Sequence, residues 1–143
     1  MISMRSSYWE HFPHVADMGV RGVGPSLEAA FEQAAIALCS LTMDLGEVRA
    51  ETEVTVFCEA PDDEVLLVDW LNALVFEMAD RRMVFSRFQV AIEDHRLAGS
   101  LWGECIDLTR HVPGVEVKGA TFTELSVRRT RKGAWVAQCV VDV

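Results

Sequence analysis

SLEAAFEQAAIALCSL, Ser26 to Leu41, is the stretch that decides the fold. Leu27, Ala30, Phe31, Ala34, Ala35, Leu38 and Leu41 recur at three- and four-residue intervals, so they share one stripe of a helix running to about Met43. Ser26 offers an N-cap oxygen to the first free amides. Glu28 and Glu32 lie where negative charge complements the helix dipole, and Gly46 is available beyond the end as a stop. A helix with an apolar stripe needs a surface to cover, and its flanks read as strands.

Upstream, 20–24 reads as a brief strand ended by Gly24-Pro25, and 6–12, with Tyr8, Trp9 and Phe12, as a short edge strand. Downstream, the alternation over 53–59 reads as a strand, and Ala60-Pro61-Asp62-Asp63 breaks it and offers an aspartate N-cap. A second helix follows over 65–81. Leu67, Trp70, Leu71, Leu74 and Met78 form its buried face, Asp69, Asn72 and Asp80 fall elsewhere, and Arg81 and Arg82 suit its C-terminus.

After Met83 the pattern is sheet. Phe88, Val90 and Ile92 alternate into Glu93-Asp94-His95, and Leu97, Gly99 and Leu101 alternate away from it, as in a hairpin. Residues 103–114 form an irregular polar connection holding Glu104, Asp107, Arg110 and His111. The last strands, 115–129 and 134–143, flank the turn Thr130-Arg131-Lys132-Gly133. In the final strand Trp135, Ala137, Cys139 and Val141 share one face, which sends Asp142 to the other with Val136, Gln138 and Val140. A carboxylate opposite the main apolar row is free to end at a rim. The element order predicts an α+β fold, a single domain over 1–143 with two helices packed on one face of a mostly antiparallel or mixed β-sheet.

Composition agrees. A chain of 143 residues, half of them hydrophobic, with 4 prolines and 9 glycines, buries one substantial core and leaves little for a disordered linker. The net charge of -9 argues against a protein whose main task is to hold nucleic acid. The basic cluster Arg128, Arg129, Arg131 and Lys132 reads as a solvated hairpin tip that can touch an acidic partner. Cys39, Cys58, Cys105 and Cys139 form no C-x-x-C pair, and the N-terminus lacks the regions of a signal peptide. Free, mostly buried thiols in the cytoplasm are expected, with packing preferred over zinc. No apolar run approaches the ~20 residues that cross a bilayer.

Phosphate-binding, dinucleotide, nucleophile-elbow and zinc-protease motifs are absent, and Gly22-Val23-Gly24 lacks the third glycine of a dinucleotide loop. His14 and Asp17 are the first candidates for chemistry, as a turn or cap on one reading and as ligands on the other. A hard cation such as calcium takes ~6–8 oxygens. Asp142 and the Val143 carboxylate or carbonyl can supply Asp17 with company, yet together they fill only about half such a shell. An open site of that kind is structural, binds substrate, or is completed by another protein. Lys118, one of two lysines, is either a sheet-edge solubility device or a contact to an anionic group.

Taken in order, several segments resemble the archease family: His14-Val15-Ala16-Asp17-Met18-Gly19-Val20, Ser26-Leu27-Glu28-Ala29-Ala30-Phe31, and Leu67-Val68-Asp69-Trp70-Leu71-Asn72-Ala73-Leu74. They continue with Phe85-Ser86-Arg87-Phe88, Gly103-Glu104 with Asp107 and Arg110-His111, Glu116-Val117-Lys118-Gly119-Ala120-Thr121, and Asp142-Val143. Val15 stands where the family usually has threonine, Val20 and Val143 where it has isoleucine, and Ala73 where it more often has Glu; none of these removes a carboxylate.

The resemblance implies an accessory protein, not an enzyme. Its partner would be an RtcB-type RNA ligase of tRNA splicing and repair, which joins RNA ends using GTP and manganese through a guanylylated histidine. The accessory protein promotes that guanylylation and lets the ligase turn over repeatedly. By the same resemblance Asp17, Asp142 and Val143 bind a divalent metal ion, calcium in the family, and Lys118 is functional. His14 becomes a loop-fixing neighbour of the ligands, and RNA and GTP are met only through the ligase, with no membrane contact. Two other classes compete. A stand-alone metal-dependent hydrolase would need further ligands and a general base, and a chaperone-like binding module would need an exposed apolar surface.

Overall fold

The computed structural model describes residues 6–143; residues 1–5, which the sequence reading includes in the domain, lie outside them. The elements follow as β1 (Tyr8–His14), β2 (Asp17–Gly24), α1 (Leu27–Thr42), a 3-10 turn (Leu45–Glu47), β3 (Thr52–Glu59), α2 (Asp63–Arg81) and β4 (Met83–Glu93). Then come β5 (Arg96–Cys105), β6 (Gly119–Ala120), β7 (Ser126–Arg129) and β8 (Trp135–Asp142).

The helices and their N-caps follow the local chemistry. Ser26 Oγ accepts the Ala29 amide at 3.1 Å and an Asp62 carboxylate oxygen the Val65 amide at 2.8 Å. The end of α1 differs from expectation. It closes at Met43 in extended backbone, whose N–H donates to the Cys39 carbonyl, while Gly46 sits inside the following 3-10 turn with its amide held by Asp44. The stop is therefore made without glycine. α2 closes through Arg82, which adopts the left-handed conformation at φ 54.

The α+β class holds, with the sheet divided in two. One sheet runs β1-β2-β8-β6, with β7 also on β8; the other runs β3-β5-β4, and all the ladders are antiparallel. α1 lies between them. Gly22 of β2 approaches so closely that a Cβ there would strike the Ala30 carbonyl and the Ala34 amide, and Glu32 reaches the other sheet, accepting the Val90 amide at 2.9 Å. Ala37 and Cys39 are accordingly buried along with the expected stripe, as befits a helix covered on more than one side.

Trp70 of α2 ties the layers together. It is fully buried, its indole N–H donates to the Phe31 carbonyl at 3.0 Å, and its ring meets Phe88 edge-on at 6.4 Å. The β4–β5 hairpin turns on Asp94 and His95, with φ 51 and 59, the left-handed pair that a two-residue turn requires. In place of a continuous strand over 115–129 there are only β6 and β7. The segment before them spends its amides elsewhere: Gly114 and Val115 donate to the Thr42 and Leu41 carbonyls at the end of α1, each at 2.8 Å.

The cysteines are free, with Cys39 and Cys139 buried. Burial pushes the Cys139 thiol up to about 12 and the Cys39 thiol higher still. Cys105, at the end of β5, is exposed, against the expectation of mostly buried thiols. Among the described residues no helix is long and apolar enough to cross a membrane.

Candidate functional site

The site begins in the backbone of the first hairpin. β2 starts at Asp17, three residues earlier than its apolar run suggests, so His14 and Asp17 are not loose in a loop. They face each other across the ladder on either side of the tight turn Val15-Ala16. Residues directly opposite in an antiparallel ladder share a face. Val15, with φ 43, is a β-branched residue in the left-handed region, and its side chain projects fully into solvent.

The next ladder adds the second carboxylate. Met18 pairs with Val141, and continuing that register by one residue sets Asp17 beside Asp142. Asp142 in turn pairs with Gly119 of β6, and its carbonyl accepts the Lys118 amide at 2.7 Å. Val143 follows Asp142 at the end of β8 and packs its side chain against the main core. One end of the sheet therefore gathers His14, Asp17, Asp142, Val143 and the main chain of Lys118, from segments at both ends of the chain. As expected from the strand phase, Ala137, Cys139 and Val141 line the main core. The opposite face is not polar, since Val136 and Val140 are also buried, and only at Asp142 does the strand emerge into solvent.

His14 carries a signal that sequence does not. Its Nδ1 is the one buried side-chain nitrogen or oxygen among the described residues without a hydrogen-bond partner. His11 meets the Ala37 carbonyl at 2.7 Å and His95 meets Asp63 at 2.8 Å. A shielded donor or acceptor left unmatched is costly unless something fills the gap. The donor set at this end suits a divalent cation: two carboxylates, a main-chain oxygen and an idle imidazole nitrogen. It does not enclose one, since no group of three or more His, Cys, Asp or Glu side chains among the described residues is gathered to hold an ion.

Lys118 is exposed, and it lies on the rim of a cleft of about 480 Å³ between the end of α2 and residues 113–118, with Val75, Met78 and Val115 among its walls. Two side chains hold the chain on either side of Lys118, Asn72 just beyond it and Glu104 further upstream at Arg110 and His111. Asn72, on the polar side of α2, accepts the Ala120 amide at 2.8 Å. Glu104 accepts two bonds from Arg110, at 2.6 and 3.0 Å, and the Arg49 amide at 2.7 Å. Its Oε2 also meets His111 Nε2 at 3.1 Å, and because His111 Nδ1 accepts the Asp107 amide, the ring proton is assigned to Nε2. The Arg110 guanidinium and the amide hold the Glu104 carboxyl well below its ordinary value of 4.5, at about 2. Neither Asn72 nor Glu104 announced such a role in the sequence pattern, because polar residues on a helix face or in an irregular connection have no periodic signature.

Fold and site together define a small α+β protein of two antiparallel sheets around a buried helix, with an open, oxygen-rich sheet end as its chemical feature. The sequence model of the Archease protein family (MTH1598/TM1083) matches residues 9–143. Protein archease of Pyrococcus furiosus is 36% identical over 139 residues, covering 94% of this chain and 98% of that one; that of Methanosarcina barkeri is 31% identical, covering 99% and 100%. The solution structure of Methanobacterium thermoautotrophicum protein 1598 superposes with a TM-score of 0.83 at 33% identity, covering 94% of this chain and 98% of that one. The chain belongs to the archease family.

Proposed function

We propose that this protein activates an RtcB-type RNA ligase of tRNA splicing and RNA repair, promoting guanylylation of the ligase and its repeated turnover without catalysing a reaction of its own. The observation that carries the reading is the sheet register that brings Asp17, Asp142, Val143 and Lys118 to one open end. In this reading Asp17, Asp142 and the Val143 oxygen hold a divalent ion, calcium or a similar hard cation, and His14 orients or supplements them. When bound, the ion supplies positive charge to phosphate oxygens that complete its shell.

The protein's own residues do the rest. An incomplete shell leaves coordination positions open to a partner's ligands, and Lys118 adds a mobile cation for an anionic group beside them. The ladder holds these groups rigidly, while the shallow sheet end leaves the contact transient. The partner is the ligase, RNA and GTP are reached through it, and the setting is the cytoplasm.

One assay tests this. RNA ligation by a cognate ligase at limiting enzyme is measured with and without the protein, alongside the protein alone on phosphate esters. Ligation should rise from about one turnover to many with wild type. Asp17→Ala, Asp142→Ala and Lys118→Ala, verified as folded, should lose the effect, and the protein alone should be inert. Full activation by the folded Asp17→Ala and Asp142→Ala variants would sink the proposal.

A further inference from the structure

The face that carries Asp17 and Asp142 continues to the opposite end of the same sheet, and there its character reverses. Tyr8 pairs with Val23, Val23 with Val136 and Val136 with Arg128, so these four side chains form one row across β1, β2, β8 and β7. Beyond the row lies the turn that carries Arg131 and Lys132. A cleft of about 370 Å³ opens between them, floored by Val23, Val136 and Ala134 and walled by Tyr8, Arg131 and Lys132.

Tyr8 is 46% exposed. None of Arg128, Arg129, Arg131 and Lys132 forms an ion pair among the described residues, whereas Arg21, Arg81, Arg96 and Arg110 are each matched by a glutamate. Unpaired cations around an apolar floor with an accessible aromatic ring are the chemistry that grips phosphates while stacking an unpaired base. The net charge of -9 does not forbid this locally. Six residue steps along β2 separate Asp17 from Val23, roughly 20 Å, about twice the distance over which charge is felt at physiological salt.

We propose that this cleft binds single-stranded RNA, as a second site at the far end of the sheet from the carboxylates. An exposed aromatic ring set among unpaired cations over an apolar floor favours a strand with unpaired bases over a surface that is only acidic. The choice of RNA over DNA rests on the ligase-activator reading, to which it adds a direct contact: RNA is then met by this protein as well as through the ligase, and the cleft holds the substrate strand at some distance from its reacting end.

Binding is measured by fluorescence anisotropy of a labelled ten-nucleotide oligouridylate with plain hydroxyl ends, using the protein alone in EDTA at low salt. Saturable binding that weakens as salt rises is expected. Arg131→Ala with Lys132→Ala should flatten the salt slope by about 1.4, and Tyr8→Leu should weaken binding about fivefold or more. All substituted positions near the cleft are exposed, so circular dichroism should report an unchanged fold. No binding at low salt, indifference to Tyr8→Leu, equal competition by polyglutamate, or tighter binding of duplex or DNA would each overturn the proposal. No ligase is present, so failure here leaves the activator reading standing. A failed ligation assay with Tyr8-dependent binding of the oligouridylate intact leaves the cleft a single-strand site, with the preference for RNA then decided by the DNA competition.

Discussion

At the scale of single residues, the site is a matter of which face a side chain occupies. His14, Asp17 and Asp142 are ordinary in type, and they become a donor set only because cross-strand partners project together. Val15 lies at the centre of this arrangement and is held at φ 43, where a β-branched residue costs about 1–2 kcal/mol. Because its side chain is bare to solvent, little packing is lost on removing it. Val15→Gly should therefore stabilise the fold, by about 0.5–1 kcal/mol once the added freedom of the unfolded chain is subtracted. Urea unfolding checks this; a lower midpoint would mean the valine turn is not strained.

Elements position these residues, and two positioning devices are open to test. The first is the Glu104 carboxylate, which pins the connection leading to Lys118. Its acidity is strengthened in the fold, from an ordinary 4.5 to about 2. A depressed carboxyl contributes stability that is complete above its unfolded value and fades as pH falls toward its folded one. Stability should thus drop between about pH 4.5 and 2, and Glu104→Gln should remove that part of the acid dependence, seen by thermal melts across pH. The second device is the close seating of β2 on α1. Gly22→Val pushes side-chain carbons into the helix backbone at Ala30 and Ala34, neither of which can rotate aside. A loss of about 1–3 kcal/mol or more is expected, and an unchanged unfolding midpoint would show that the two elements separate freely.

Across the whole molecule, the charges are sorted by end. The carboxylate end of the first sheet and the basic turn at 128–132 lie at opposite ends of the same face, separated by Arg21, which binds Glu10 at 2.6 Å and Gln138 at 2.9 Å and stacks over Phe12 at 4.6 Å. On the proposed reading, an acidic molecule with one basic end would meet a basic partner surface with its carboxylates leading. Association with the proposed ligase partner should accordingly slow about tenfold or more as salt rises from roughly 0.05 to 0.5 M. Stopped-flow binding measures it. A rate indifferent to salt would remove electrostatic steering from the account.

The sequence by itself determined what is local. Both helices, their caps at Ser26 and Asp62, the Asp94-His95 hairpin and the phase of the last strand are set by periodicity and by side chains acting within a few residues. Through resemblance it also pointed to Asp17, Asp142, Val143 and Lys118 as a candidate site, which residue patterns alone left open between turn, ligand and solubility device. Tertiary structure alone decided the division into two sheets, the brevity of β6 and β7, the unmatched Nδ1 of His14, and the work of Asn72 and Glu104. These depend on which strands meet. Arg21 and Gln138 lie 117 positions apart and share a hydrogen bond only because β2 and β8 pair in one register. Such pairing is chosen by the packing of both faces at once, and no window of sequence contains both partners.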